Sequence, residues 1–288
     1  MTTLIKDGLV FYRGQFEPMQ LFIDDDNHAI VAETIDIDVD ETVDASGCLV
    51  MPALMNPFLK DLQLPDLDLK AANGGYATTG LIKQVDFKEE AIMTNILTYQ
   101  TSTDFKFANG FVGVSDTIDV NLCQQLFDND GILVYTGSNL DELSLVKCQV
   151  HVTNCNITDL ASIQTMKKNK PNLSCDIEIT QLLGSDFEEF LPYLQNHTVD
   201  MINVSKLDNL EIAFGLLYAK LVKYQLLSIV DLFNLLSYNM AEIFSISGGE
   251  ITYNEPCQIA VFDIHTNDKI TNGDFKGLYS SAQCRYFL

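Results

Sequence analysis

Val50-Met51-Pro52-Ala53-Leu54-Met55-Asn56-Pro57-Phe58-Leu59-Lys60-Asp61 is an apolar run that ends in a charged pair. Such a run, bounded by proline and polar residues, reads as a buried strand whose last residues reach a loop. Residues at i and i+2 of a strand share a face, so Phe58 and Lys60 project together. At the mouth of a parallel sheet that spacing would suit two metal-ligating side chains. A phenyl ring has no lone pair to give, and an ammonium group repels a cation.

On either side of this stretch the pattern divides the chain. Residues 1 to about 50 read as short strands, with Asp7-Gly8 predicted as a turn and Asp24-Asp25-Asp26-Asn27 as a polar reversal. The run from Gly249 to Asp263 has the same β character. Between these ends, apolar runs alternate with helical patterns, which predicts βα units and a largely parallel sheet. Strands are predicted at 49–56, 77–83, 110–115, 131–136, 148–154, 173–179 and 199–204. The helices fall at 88–101, 120–129, 158–169, 186–196, 208–225 and 228–244. Leu210, Ala213, Phe214, Leu217 and Leu221 lie on one helical face, as a sheet-covering helix requires. Pro171 stops the helix before it, because proline cannot extend the hydrogen-bond ladder.

Composition excludes several functions. With 288 residues, 47% of them hydrophobic, and 17 Phe and 11 Tyr, the chain can bury a sizeable core. Its net charge of −23 disfavours nucleic acid and anionic membrane surfaces. The seven cysteines are scattered and never form Cys-x-x-Cys, which suits buried thiols in a reducing compartment better than disulfides or zinc. The first residues lack a signal-peptide core and no apolar run is long enough to span a bilayer, so a cytoplasmic location is predicted. No phosphate-loop, zincin or nucleophile-elbow signature occurs, and the four histidines, His28, His151, His197 and His265, are widely spaced.

Several segments, in order, resemble dihydroorotases of the amidohydrolase superfamily. The opening stretch is similar to the family's L-P-G-L-V-D-P-H-V-H-L-R, with Phe58 and Lys60 at its two metal-binding histidines and Leu62 at its substrate-gripping arginine. Ala71-Ala72-Asn73-Gly74-Gly75-Tyr76-Ala77-Thr78-Thr79 is similar to A-A-A-G-G-F-T-T, and Ile82-Lys83-Gln84 stands at the M-P-N run. Gly110 to Thr117 is similar to G-A-V-G-F-S-D-D-G and keeps Asp116. Tyr135 occupies the histidine of V-H-A-E-D, and Asn154 the second histidine of L-H-I-C-H-V-S-T, whose first survives as His151. Thr180 and Gln181 replace the histidines of C-E-V-T-P-H-H-L-L, and Ser205 replaces the general-base aspartate of I-D-M-I-A-T-D-H. Leu235 to Phe244 is similar to L-L-S-T-N-P-A-R-I-F.

The resemblance implies an α/β fold: a TIM-like (β/α) barrel of amidohydrolase type over 52–247 beside a β-sandwich made from 1–51 and 248–288. Some 195 residues is short for eight βα units, which typically take about 250. The barrel is therefore expected to be eroded or compact, with fewer than eight strands, and the losses are expected between Thr101 and Gly110 and between Leu183 and Val199. The pocket residues would be vestigial: Phe58, Lys60, Leu62, Gln84, Asp116, Tyr135, Asn154, Thr180, Gln181 and Ser205, with no catalytic residue, metal or cofactor. The function implied is that of a pseudoenzyme with a binding or assembly role, its candidate partners being aspartate carbamoyltransferase of pyrimidine synthesis or a second copy of the chain. The rival is a divergent enzyme or small-ligand sensor with a metal-independent pocket built from Lys60, Asp61, Asp116 and His151; true cyclic-amide hydrolysis ranks last. Lys60 is expected to pair with Asp116, since a buried charge without a partner is costly.

Overall fold

The computed structural model describes residues 1–59, 67–81, 112–128, 130–253 and 256–288. Strands β1 (Thr3–Tyr12), β2 (Gln15–Ile23), β3 (Ala29–Ala32), β4 (Glu41–Asp44) and β5 (Cys48–Pro52) build most of one mixed sheet. Asp7-Gly8 does not turn the chain as predicted. It forms a bulge within continuous β1, where Asp7 has φ 62°. A Cβ on Gly8 would lie 2.7 Å from Val50 Cγ2 and 2.9 Å from Ala45 Cβ, so only glycine lets β1 lie this close to its neighbours.

The predicted strand 49–56 is in fact two. Cys48–Pro52 pairs with β1, and β6 (Leu54–Leu59) pairs in parallel with β7 (Tyr76–Leu81). Ala53 is the crossing point; its N–H donates to the Gln258 carbonyl instead of to a strand neighbour. Between β6 and β7 lies α1 (Leu67–Asn73).

The central units follow: β8 (Val112–Ser115), α2 (Val120–Asp128), β9 (Ile132–Tyr135), β10 (Gln149–Val152), α3 (Ile157–Lys167) and β11 (Leu173–Glu178). Then come α4 (Ile179–Leu182), α5 (Phe187–Gln195), β12 (Met201–Asn203) and α6 (Leu207–Leu217). Strands β12-β11-β10-β9-β8 form one sheet in that order, every pairing parallel. β12 pairs directly with β11, so only α5 occupies the interval between Leu183 and Val199, where a strand and loop were expected to be missing. The predicted helix 88–101 and the other expected loss, between Thr101 and Gly110, lie outside the described residues.

The predicted helices 208–225 and 228–244 are each interrupted. α6 runs into a π-helical turn over Tyr218–Val222, and a second π-helical turn, Asn234–Tyr238, separates α7 (Ile229–Phe233) from α8 (Asn239–Phe244). The predicted apolar stripe holds nonetheless, with Leu210, Ala213, Phe214, Leu217 and Leu221 all buried. Strands β13 (Ile259–Asp263), β14 (Asp268–Lys269), β15 (Tyr279–Ser280) and β16 (Gln283–Phe287) complete the chain. β13 inserts between β5 and β16, joining the two ends of the chain in one seven-stranded sheet. Among the described residues of the run 249–263, the last five form a regular strand, and Tyr253 and Pro256 make isolated bridges.

Alternation along the parallel strands creates two faces. Leu133, Val150, Val152, Cys175, Ile177 and Ile202 join Leu160, Ile163, Leu210 and Phe214 from the helices in the principal core. Met55, Phe58, Ile132, Val134 and Met201 form a second cluster on the opposite face, closed by Met240, Phe244 and Ile246. Among the described residues no helix is long and apolar enough to cross a membrane.

Candidate functional site

The face turned away from the covering helices carries the polar side chains. His151 on β10 and Asp176 on β11 are both fully buried, with Nε2 2.9 Å from Asp176 Oδ2. The carboxylate accepts, so Nε2 carries a proton. Nδ1 lies 2.9 Å from Ser174 Oγ, which also stands 3.3 Å from the Val150 carbonyl oxygen. A serine, a histidine and an aspartate in contact suggest a nucleophilic triad. Here Ser174 is buried as well, and Phe58 and Phe244 pack their rings at 5.6 and 5.5 Å from the imidazole, so no substrate carbonyl can reach the hydroxyl.

Asp176 also accepts from the Asn154 backbone N–H at 2.8 Å. Asn154 itself has φ 57°, a left-handed conformation that asparagine tolerates better than most residues. Its side-chain oxygen lies 3.4 Å from Asn203 Nδ2, while Asn203 Oδ1 accepts from the Phe58 N–H at 3.2 Å. One strand over, the Asn56 side chain donates to the Val204 carbonyl at 3.0 Å and accepts from its N–H at 2.8 Å. These asparagines tie β6 to β12 where the backbones do not pair. Glu178, also buried, accepts from Ser205 Oγ at 3.0 Å, from the Thr180 N–H at 2.6 Å and from the Thr180 hydroxyl. Hydroxyl and amide donors therefore do for this carboxylate what a cation would otherwise do.

Not all of the predicted pocket gathers here. Phe58, Asn154 and Ser205 meet on this face, and Thr180 joins them through Glu178. Gln181 is exposed on α4 and borders, with Thr180, Asn156 and Asp186, an open polar cleft of about 420 Å³. Asp116 is exposed just past β8. Tyr135 is a correction: the pleat turns it to the helix-facing side, in the principal core, where its hydroxyl donates to the Asn139 carbonyl at 3.1 Å and burial raises its pKa. Lys60, Asp61, Leu62 and Gln84, and with them the expected Lys60–Asp116 pair, lie outside the described residues.

Sequence reasoning missed Asp176, Glu178, Asn56 and Asn203. A signal existed in Leu173-Ser174-Cys175-Asp176-Ile177-Glu178, whose strict alternation normally marks a strand with one wet face. All six residues are buried. Alternation in a strand covered on both sides implies partners for each polar residue, and those partners lie on other strands.

With the architecture and this network in view, comparison with known proteins becomes informative. No protein-family model matches the chain. A curated dihydroorotase from Lactobacillus gasseri is 22% identical in an alignment of 394 positions that takes in 96% of this chain and 92% of the relative. The chain is similar to dihydroorotases. The alignment is more than a hundred positions longer than the 288 residues present, so this dihydroorotase-like chain is markedly shortened. L-hydantoinase (dihydropyrimidinase) from Arthrobacter aurescens superposes with a TM-score of 0.79 at 12% identity, over 99% of this chain and 94% of that one. D-hydantoinase (dihydropyrimidinase) from a Thermus species gives 0.80 at 12% identity, over 99% and 93%. Dihydropyrimidinase from Brevibacillus agri gives 0.79 at 12% identity, over 100% and 94%. These structural neighbours are of the amidohydrolase, TIM-barrel type, and this chain shares an α/β fold with them.

The divalent metal that the fold implies does not suit the side chains present. Among the described residues no three His, Cys, Asp or Glu side chains converge as ligands. The imidazole that remains has both nitrogens engaged, by Asp176 and Ser174, so it has no lone pair free for an ion. Phe58, whose ring packs 5.6 Å from that imidazole, offers no lone pair.

Proposed function

We propose that this chain is a catalytically inactive dihydroorotase-like protein with a binding or assembly role. The observation that carries this reading is a pair of closed hydrogen-bond clusters, one of His151, Asp176, Asn154 and Asn203 and one of Glu178, Ser205 and Thr180. Every polar group there has a protein partner, so none is poised to activate water or polarise an amide carbonyl. In this reading residues 52–247 form a (β/α) barrel of fewer than eight strands, and 1–51 with 248–288 form a β-sandwich beside it. Both expectations are supported by the direct β11–β12 pairing and the joining of the chain ends through β5 and β13. The protein acts in the cytoplasm, and its first candidate partner is aspartate carbamoyltransferase, with self-association the second.

The test combines elemental analysis of purified protein with a dihydroorotate hydrolysis assay in added zinc. The reading expects less than stoichiometric zinc and no turnover above buffer; about one zinc per chain together with turnover would sink it. Light scattering of the chain mixed with the host's aspartate carbamoyltransferase should give a particle heavier than either component. If the two remain separate, that partner is dropped, and a concentration series of the chain alone tests self-association.

A further inference from the structure

Away from the strand ends, α5, the end of α6 with its π turn, and the C-terminal segment around β15 line a half-open cavity of about 720 Å³. That volume falls within the range of small-molecule sites, about 300–1,000 Å³. Its walls are mainly apolar and aromatic, including Phe187, Leu216, Tyr224 and Tyr279, with Lys220 and Lys223 at its edge. Tyr224 and Tyr279 are 74% and 49% exposed, a large apolar surface for isolated tyrosines to leave in water.

Two features mark this place. The first is charge. Lys167 pairs with Asp200, Lys206 with Asp274 and Lys70 with Asp208, and Lys170 gives its ammonium to the Leu143 and Val146 carbonyls. Lys6, Lys147, Lys168, Lys220, Lys223, Lys269 and Lys276 have no ion-pair partner among the described residues. Of these, Lys220 and Lys223 line one cavity together, Lys220 4.2 Å above the Phe187 ring, with Glu188 in the same wall. The second is the backbone. A π turn is rare and collects at functional sites because it rotates the residues that follow out of the helical register. The π turn over Asn234–Tyr238 has a packing role, since Ser237 Oγ donates to the Ala53 carbonyl where the chain crosses between sheets. The one over Tyr218–Val222 keeps Leu221 buried while Ala219 and Lys220 face the cavity.

We propose that this cavity binds a small amphipathic monoanion, its aromatic body against Phe187, Leu216 and Tyr279 and its carboxylate held by Lys220 and Lys223. The apolar walls supply contact area, and the two ammonium groups choose an anion over its neutral analogue. The site shares no residue with the network at the strand ends and does not depend on the reading of that network.

The test is calorimetric titration of the intact chain with 1-naphthaleneacetate and with 1-naphthaleneacetamide, its neutral isostere. The expected result is one site per chain for the acid, with the amide at least tenfold weaker. Lys223→Gln should weaken the acid several-fold, and Lys220→Gln with Lys223→Gln should bring it to the level of the amide without changing amide binding. Lys223 is exposed, so its single variant reads out even if the double variant fails to fold. Equal affinity for acid and amide, no binding of either, or acid binding that survives Lys223→Gln unchanged would overturn the proposal.

Discussion

On the helix-facing side of β11, Cys175 and Ile177 lie among Leu160, Ile163 and Leu210, whereas on the other side Ser174 and Asp176 both bond to His151 on β10 and Glu178 bonds to Ser205 past β12. The two sides are equally dry but are held in different ways. The apolar side is stabilised by area, so small changes of volume should be felt gradually. The polar side is stabilised by pairing, and removing one partner leaves another buried and unsatisfied. This face is a second core, held by hydrogen bonds as the other is held by apolar contact.

The largest effect should come from Asp176→Ala. It strips the acceptor from both the His151 ring and the Asn154 N–H, and each buried polar group left unsatisfied typically costs about 1–3 kcal/mol, so the two together exceed any single loss below. Urea unfolding would measure it, and a loss below about 1 kcal/mol would show that water already reaches the pair. Replacing both residues, His151→Leu with Asp176→Leu, should recover much of the loss, because the imidazole is no longer buried without its acceptor. Next is Glu178→Gln, which turns an amide NH₂ toward donors from Ser205 and Thr180, at a cost of about 1–3 kcal/mol. On the other side of the strand, Ile177→Val removes one methylene and should cost about 0.5–1.5 kcal/mol. Were Ile177→Val to cost as much as Asp176→Ala, the distinction between the two faces would collapse.

The same distinction explains how much could be read in advance. The stripe from Leu210 to Leu221 and most of the parallel strands were legible because periodicity is a local property of the chain. The chemistry of single positions was legible too, since a phenyl group at Phe58 or a hydroxyl at Ser205 reveals what it can donate or accept without a structure. The pairings between distant residues were not. Asp176 and His151 are 25 residues apart, Asn56 and Val204 148, and no local pattern specifies such a pairing. Tyr135 was misplaced by one step of the pleat, which is enough to move a side chain from one face to the other. The break at Ala53 was hidden because both halves of the run are apolar and buried, one against each sheet.

The apolar side should also be the one sensitive to alkali, an effect smaller than those of the buried-pair substitutions. All seven cysteines are free thiols, and Cys155, in the helix-facing core, has its pKa raised well above the ordinary 9.0, first by its hydrogen-bonding contact with Cys175 and then by burial. A thiol that keeps its proton longer in the folded chain than in the unfolded one binds more protons when folded. Its contribution is therefore complete below the unfolded value and is lost as pH rises past 9 toward the folded value. Melting temperature measured from pH 8 to pH 10 should fall more steeply for the natural chain than for Cys155→Ala, which carries the same core without that proton. Taking the difference between the two curves cancels the lysines and the thiols that do not touch Cys155, so parallel curves would mean that ionisation of the Cys155–Cys175 pair is not coupled to unfolding and that this face depends on packing area alone.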